Sequence, residues 1–328
     1  MVTHYRESPI VAFQPTVADG PSVENRDLFY YYMAERYNIW RRRFLKKKPP
    51  PWTKDPILAN YQFTNVFRHL DRNSQWLYRS ISEDREAGKK VSKQEIAWRV
   101  ILFRLINRIE TFEDLGGMPF RKKFDITKFC KRLRELKESD GGRSVFTSAY
   151  ITCQCSNKRD RIGNFEEMMG GICERWPEVW AVIGGATSFK EAYTGLKRFY
   201  GLGQFNAYDL SIDLCVLDIF PNEWRDSFAH AGPGCRVGID GIWPYGTIDY
   251  TEAMEILRDN QDKYFKHACK VYGIKWRGPR LMLHDIEFNL CEVSKYYKMK
   301  LKVGKQRMKF SPRTANNVWI YQPKTAAK

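Results

Sequence analysis

The sequence is poor in cysteine and lacks the clustered ligands of common metal sites. Its 328 residues hold eight cysteines, scattered except for Cys153 and Cys155, so buried free thiols are expected and a disulfide framework is not. No second cysteine pair or histidine pair stands at zinc-finger spacing, and the four-cysteine run typical of iron–sulfur clusters is missing. We therefore predict no structural metal.

Long apolar runs and nucleotide-binding loops are also missing. No apolar stretch approaches the roughly 20 residues needed to cross a bilayer. The first residues, MVTHYRESPIVAFQPTVADG, show no basic segment followed by an apolar one, as a secretion signal would. The pattern GxxxxGK followed by Ser or Thr does not occur, so a P-loop kinase is not predicted. We expect a soluble, cytoplasmic protein without a membrane partner.

Acidic residues are too few to balance the basic ones. Fifty-five Lys and Arg against 38 Asp and Glu give a net charge of +17, which indicates a polyanionic partner. The sequence also holds 18 Tyr, 20 Phe and 10 Trp, many of them among the basic residues. Aromatic rings between cations favour nucleic acid over an anionic membrane surface, and both over mere solubility.

Apolar spacing predicts a mainly α protein. Residues 1–24 are expected to form a flexible arm, 25–300 a helical catalytic domain, and 301–328 a basic tail. A small β-hairpin insert is predicted between roughly 145 and 164, where β-branched and aromatic residues flank a polar turn. No internal repeat or alternating strand–helix rhythm occurs.

The helix predicted over 27–45 ends in a basic cluster that includes Arg41, Arg42 and Lys46. Such a cluster can contact DNA phosphates, since neutralised phosphates release counterions. A solvated helix end explains the same residues equally well.

The stretch HAGPGCRVGID, residues 230–240, resembles the hairpin of helix-hairpin-helix modules. There, exposed backbone N–H groups next to a helix N-terminus hold a DNA phosphate. Gly232 and Gly234 would form the hairpin, and Arg236 would contact the DNA backbone. Taken alone, a structural Gly-Pro-Gly turn is the more frequent explanation.

Five segments, in this order and spacing, resemble the alpha-glutamyl/putrescinyl thymine pyrophosphorylase family: PPWTKDPILANYQFTNVFRHLDR, ILFRLINRIETFEDLG, GLGQFNAYDLSIDL, AGPGCRVGI and LHDIEFNLCEVSKY. The resemblance covers about residues 25–298. That family shares a domain with proteins described as the helical domain of 5-hydroxymethyluracil DNA kinases. It looks like an offshoot of the helix-hairpin-helix DNA glycosylases and occurs largely in bacteriophages, which would place this chain in a host cytoplasm.

The resemblance implies a helix-hairpin-helix, DNA-glycosylase-like helical fold and thymine hypermodification. A phosphorylated or pyrophosphorylated 5-hydroxymethyluracil in double-stranded DNA would lose its leaving group to an amine such as glycine, glutamate or putrescine. Because no P-loop is present, a separate DNA kinase would supply the substrate. The reaction requires an extruded base, cations for pyrophosphate and a carboxylate for the amine proton.

The helix predicted over 204–220 is apolar on two sides and carries Asp209 and Asp213 between them. Buried carboxylates need an arginine, a ligand or a proton. Each could bind the amine or act as general base, or could form an ion pair with Arg104 or Arg108; the ion pair is favoured for Asp209 and the two roles are balanced for Asp213.

The last helix carries a second polar stripe, formed by Asp285, Asn289 and Glu292. Spacing alone favours a solvated face. The resemblance instead places Asp285 and Glu292 in the active site.

For the leaving pyrophosphate, Arg104 and Arg108 stand at i and i+4 on a predicted helix, with Asn107 beside them. The competing interpretation is an ion pair with the buried aspartates.

The sequence departs from the glycosylase pattern, because Asp240 lies too near the hairpin to be the glycosylase aspartate. This argues against glycosidic-bond hydrolysis. A glycosylase of modified thymine and a non-catalytic DNA-binding partner of a kinase remain the alternatives. No cofactor is predicted, and a requirement for Mg²⁺ is left open.

Overall fold

The computed structural model describes residues 20–139, 141–142, 144–148, 160–304 and 308–310. Its regular structure is almost entirely helical, which confirms the predicted class; the β contact in these ranges is an isolated bridge between Tyr61 and Lys309. Most of the predicted hairpin, residues 149–159, lies outside the described part of the chain. None of the described helices is long and apolar enough to cross a membrane.

The α-helices of the described residues are, in chain order, α1 (Val23–Trp40), α2 (Pro56–Asn60), α3 (Arg72–Glu86), α4 (Lys93–Ile106), α5 (Ile109–Asp114), α6 (Ile126–Ser139), α7 (Arg161–Glu174), α8 (Trp176–Gly185), α9 (Phe189–Leu196), α10 (Gly203–Val216), α11 (Pro233–Asp240), α12 (Tyr250–Asp259), α13 (Gln261–Tyr272) and α14 (Leu283–Leu301). A π-helical turn, Arg41–Leu45, continues α1. Short 3-10 turns lie at Arg68–Leu70, Arg121–Lys123 and Asn222–Asp226.

The chain forms two compact units. Among the described residues, the first combines 20–71 with 228–304 and 308–310, and the second lies between Arg72 and Ser227. The first unit therefore contains α1, α2 and α11 to α14, while the second contains α3 to α10.

Aromatic side chains form the core of the first unit. The Tyr30 ring of α1 packs edge-on against Phe265 of α13, 4.7 Å between ring centroids, and its hydroxyl donates to the Leu257 carbonyl at 2.6 Å. Phe29 and Met33 on the same helix are fully buried. Because each aromatic ring buries a large apolar area, these contacts fix α1 against α13.

Two glycines of α11 allow its close approach to α14. A Cβ atom on Gly234 would lie 2.4 Å from the Cys291 sulfur, and one on Gly238 would lie 2.3 Å from the Leu290 carbonyl oxygen. The helix begins at Pro233 with Gly232 as its N-cap, so Gly234 lies inside the helix. Gly234 therefore lies in the first turn of α11, where it packs against α14, and its predicted contact with DNA stays a prediction.

The second unit has α4 and α10 at its centre. Both helices are buried over most of their length, as the two apolar sides of α10 predicted. Phe205, in the first turn of α10, is an exception with 52% exposure.

The predicted helix that carries Arg104 and Arg108 is interrupted. Asn107 adopts a left-handed conformation, φ 50° and ψ 37°, and ends α4. Its amide oxygen accepts hydrogen bonds from Arg104 and Asn73. One bond is local, from α4 itself, and the other is tertiary, from α3; together they hold a conformation that asparagine tolerates better than most residues.

Candidate functional site

The polar stripe of α14 points into the first unit. Asp285, Asn289 and Glu292 are each no more than 3% exposed, so the solvated-face interpretation is wrong. Asn289 donates from its side chain to the Val66 carbonyl at 2.9 Å, and Glu292 Oε2 accepts from the Thr64 backbone N–H at 3.2 Å. The stripe thus holds the extended segment that precedes the turn Arg68–Leu70.

That segment positions a carboxylate, Asp71. Asp71 Oδ1 accepts from the Asn65 backbone N–H at 2.8 Å and from the Asn65 side-chain amide at 3.1 Å. Burial raises the pKa of Asp71 to about 6; the Asn65 hydrogen bond, Arg36 and Arg68 oppose this rise, and the charge of Glu292 adds to it. A carboxylate with such a pKa is mostly ionised at neutral pH and binds a proton more readily than an ordinary aspartate, as a general base should.

Two arginines complete this group, which we call the carboxylate cluster: Arg36, Arg68, Asp71 and Glu292. Arg36 Nη2 donates to the Phe63 carbonyl at 3.1 Å, and burial lowers its pKa, opposed by the nearby charges of Asp71 and Glu292. Arg68 is 4% exposed. The Lys295 ammonium donates to Glu292 Oε1. The cluster therefore combines two carboxylates with cations that can hold an anion.

Arg36 also lines a cavity of about 180 Å³ whose walls are mainly apolar and include six aromatic side chains. Arg43, in the π-helical turn that continues α1, lines the same cavity. Its guanidinium lies 5.0 Å from the centre of the Trp52 ring. Burial and the charge of Arg36 lower the pKa of Arg43. The other side chains that we use to define this aromatic cavity are those of Trp40, Phe44, Trp52, Tyr61, Phe63 and Phe310.

The size and lining of the aromatic cavity suit a single planar ring. An apolar cavity of about 150 Å³ is enough to bind benzene. Aromatic side chains can stack on any of the nucleobases. Two positively charged guanidinium groups in one cavity favour an anionic ligand. The cavity can therefore hold one planar ring beside a negatively charged group.

The polar stripe of α10 has a different environment. Asp213 is fully buried and accepts from Arg104 Nε at 2.5 Å, from Arg104 Nη2 at 2.8 Å and from the Tyr78 hydroxyl at 2.6 Å. A carboxylate held by a bidentate arginine and a hydroxyl is a poor proton acceptor. The contacts of Asp213 favour the ion-pair alternative. Asp209, one turn earlier, is also buried, with 6% exposure.

The arginine pair expected for pyrophosphate does not form one surface. Because α4 ends before Asn107, Arg104 and Arg108 do not share a helical face, and the i, i+4 prediction is wrong. Arg104 is buried against Asp213, whereas Arg108 lies 3.7 Å from Glu110. Asn107 is 2% exposed and bonded within the unit.

Asp285 has a local structural partner. One of its carboxylate oxygens accepts from the Met282 backbone N–H at 2.9 Å, and the other lies 3.2 Å from His284 Nε2. Bonds of this kind satisfy the free N–H groups at a helix start. Asp285 therefore stabilises the first turn of α14, while Glu292, two turns later, belongs to the carboxylate cluster.

Of the residues predicted to contact DNA, Arg236 is exposed at the start of α11. Its Nε donates to the Ala231 carbonyl at 2.9 Å, and its guanidinium lies 5.3 Å from the centre of the Tyr250 ring. Gly232 has an ordinary backbone conformation with φ −68°. A DNA contact at these two positions stays a prediction. Arg41, Arg42 and Lys46 line a separate basic cavity.

Sequence reasoning missed Asp71, Arg36 and Arg68 as members of the cluster. Asp71 and Arg68 stood in the segment FRHLDR that carried the family resemblance, so that match was the available signal. Metal ligation is not indicated by geometry in the described ranges, where no group of three His, Cys, Asp or Glu side chains could hold an ion.

The chain is similar to a curated protein named 5-hmdU DNA kinase from Bacillus phage SP10. The two are 26% identical over 288 residues, which is 83% of this chain and 44% of the relative. The chain thus spans less than half the length of that relative. No solved structure matched the chain. Residues 24–306 match the model of the family described as 5-hmdU DNA kinase, helical domain. The chain belongs to the 5-hmdU DNA kinase helical-domain family.

Proposed function

We propose that this protein is a DNA-modifying transferase of thymine hypermodification. It condenses an amine with phosphorylated or pyrophosphorylated 5-hydroxymethyluracil in double-stranded DNA and releases the phosphate group. Family membership and the name of the phage relative support a role on 5-hmdU DNA alongside a DNA kinase. The observation that carries the proposal is the carboxylate cluster beside an aromatic cavity, with Arg36 in both.

The described residues match the requirements of the reaction. Aromatic rings of the cavity receive the extruded base, whose removal from the duplex is needed to reach its 5-position. Arg36 and Arg43 neutralise the leaving group. Asp71, with its pKa of about 6, takes the proton from the incoming ammonium, and Glu292 attracts that ammonium.

The bonds balance without an oxidant or reductant. Asp71 accepts one proton from the ammonium, and the free amine nitrogen then attacks the CH₂ carbon at position 5. The C–N bond forms as the C–O bond breaks, and both electrons of that bond leave with the pyrophosphate. The substituted nitrogen releases its second proton to solvent.

The test is to incubate the protein with DNA carrying pyrophosphorylated 5-hydroxymethyluracil and with glycine, glutamate or putrescine in turn. Digestion to nucleosides and mass spectrometry should detect an amine adduct with one donor. Verified substrate that yields no adduct with any donor contradicts the proposal.

The same digest separates the two alternatives. Free modified base and abasic sites would identify a glycosylase. Unchanged DNA, together with stimulation of an added 5-hmdU DNA kinase, would identify a non-catalytic DNA-binding partner.

A further inference from the structure

The first unit contains a second cavity with a strongly basic lining. It has a volume of about 270 Å³ and lies where the end of α1 meets the chain that follows α13. Five cationic side chains line it and no carboxylate does; the cations are those of Arg41, Arg42, Lys46, Lys275 and Arg277. We call this the basic cavity.

Local structure explains why these cations converge. Gly273, with φ 63°, ends α13 and starts an extended segment. In such a segment alternate side chains point to opposite sides. Trp276 packs inward, stacked on Phe265 with 4.2 Å between ring centroids, which leaves Lys275 and Arg277 on the exposed side.

A hydrogen bond fixes that segment to α1. Asn38 Nδ2 donates to the Lys275 carbonyl at 3.0 Å. The π-helical turn then presents Arg41 and Arg42 to the same cavity, and Lys46, which directly follows the turn, also lines it. The cations therefore come from two segments far apart in sequence that are joined before any ligand binds.

The charge of the basic cavity is poorly compensated within the protein. Arg42 pairs with Glu35 at 2.8 Å and donates to the Trp52 carbonyl at 2.6 Å. In the described part of the chain, Arg41, Lys46, Lys275 and Arg277 have no carboxylate partner within 4.0 Å. Like charges around one cavity repel each other, and a bound anion relieves that repulsion.

The geometry points to a binding site for a backbone phosphate of DNA in the basic cavity. The inference rests on the proposed function in taking DNA as the partner. Arg42 and Arg43, adjacent in the π-helical turn, line the basic cavity and the aromatic cavity respectively. One helical turn thus carries both a phosphate site and a base site, and the first holds the strand while the second receives the base.

The test measures binding of a short, labelled, unmodified DNA duplex at several salt concentrations. The variants are Arg41→Gln, Arg277→Gln and the double variant, each first checked for an unchanged melting temperature. The salt slope is the change in the logarithm of the association constant with the logarithm of salt concentration. If the cations share one phosphate, each single variant lowers the size of this slope by up to about one. The double variant should then also lower it by about one, and not by about two. Lys275→Gln gives an independent third variant.

Lys263→Gln is the matched control, because Lys263 is an exposed lysine of α13 outside the basic cavity. It should leave the salt slope unchanged. An equal loss in this control, or unchanged DNA binding in the cavity variants, overturns the inference.

Titration with sodium pyrophosphate distinguishes the other source of phosphate. The cavity variants should bind pyrophosphate as the wild type does. Loss of pyrophosphate binding with intact DNA binding would mean that the cavity holds the leaving group, and the inference would fail. Because the duplex is unmodified, these results are independent of whether the amine adduct forms.

Discussion

At the scale of single residues, the proposed amine transfer depends on Asp71 as general base. Its pKa of about 6 predicts that adduct formation falls as pH drops below about 6, since the protonated carboxyl cannot accept a proton. Asp71→Asn should lower the rate by roughly 10²–10⁴-fold. The measurement is the pH–rate profile of adduct formation with saturating DNA.

Asp240→Asn is the control for that profile. Burial also raises the pKa of Asp240 to about 6, but its interactions are with Tyr250 and Arg236, outside the carboxylate cluster. In this variant the rate should still fall at low pH as it does in the wild type. If the fall in rate at low pH disappears in Asp240→Asn, Asp71 is not the general base. The same conclusion follows if the pH of that fall changes with the pKa of the amine donor.

Asp213 is predicted to stabilise the fold and not to act in the reaction. Asp213→Asn removes the negative charge that pairs with buried Arg104. Because the arginine charge then stays buried without its carboxylate, the free energy of unfolding should fall by about 3 kcal/mol. Chemical denaturation should show this loss.

The folded fraction of Asp213→Asn should still form the amine adduct at close to the wild-type rate. A folded variant without activity would restore Asp213 as the general base. Asp213→Leu combined with Arg104→Met removes both charges and should recover part of the lost stability.

At the scale of elements, the contact between α11 and α14 depends on glycine. Gly238→Ala places a methyl group against the Leu290 carbonyl and should lower the free energy of unfolding by about 1–3 kcal/mol. Gly170→Ala, inside α7 and with no atom within 4 Å of its Cβ, should raise it by about 0.5–1 kcal/mol. Thermal unfolding of both variants measures the difference, and equal effects would contradict the packing role.

Helix positions were largely predictable from sequence, while their ends and close contacts were not. The two apolar sides of α10 and the stripe of α14 follow from spacing within each helix. At the end of α4, the Asn107 side chain accepts from Arg104 in the same helix and from Asn73 in α3, and the second contact has no local sequence pattern. Likewise, the packing role of Gly234 depends on a helix more than 50 residues later.

The candidate site was harder to predict for the same reason. Glu292 was identified through the family resemblance, whereas Asp71 gains its raised pKa from burial in the folded unit. Arg36 and Arg68 surround it from α1 and from the 3-10 turn. A pKa that depends on neighbours distant in sequence has no signature in any one segment.

At the scale of the whole molecule, the net charge of +17 predicts salt-sensitive binding to DNA. The logarithm of the association constant should fall linearly with the logarithm of salt concentration, by about 0.9 for each duplex phosphate contacted. Fluorescence anisotropy with unmodified duplex measures this slope for the intact chain. A slope near zero would mean that the basic excess does not serve DNA binding.

Photocrosslinking tests directly whether the target base binds in the aromatic cavity. DNA with 5-iodouracil at the target position carries a photoreactive group where the reacting CH₂ would lie, and irradiation of its complex should crosslink an adjacent aromatic side chain. Peptide mapping by mass spectrometry should place the crosslink in the first unit, on Trp40, Phe44, Trp52 or Tyr61. A crosslink confined to the second unit, between Arg72 and Ser227, would mean that the target base does not bind in the aromatic cavity.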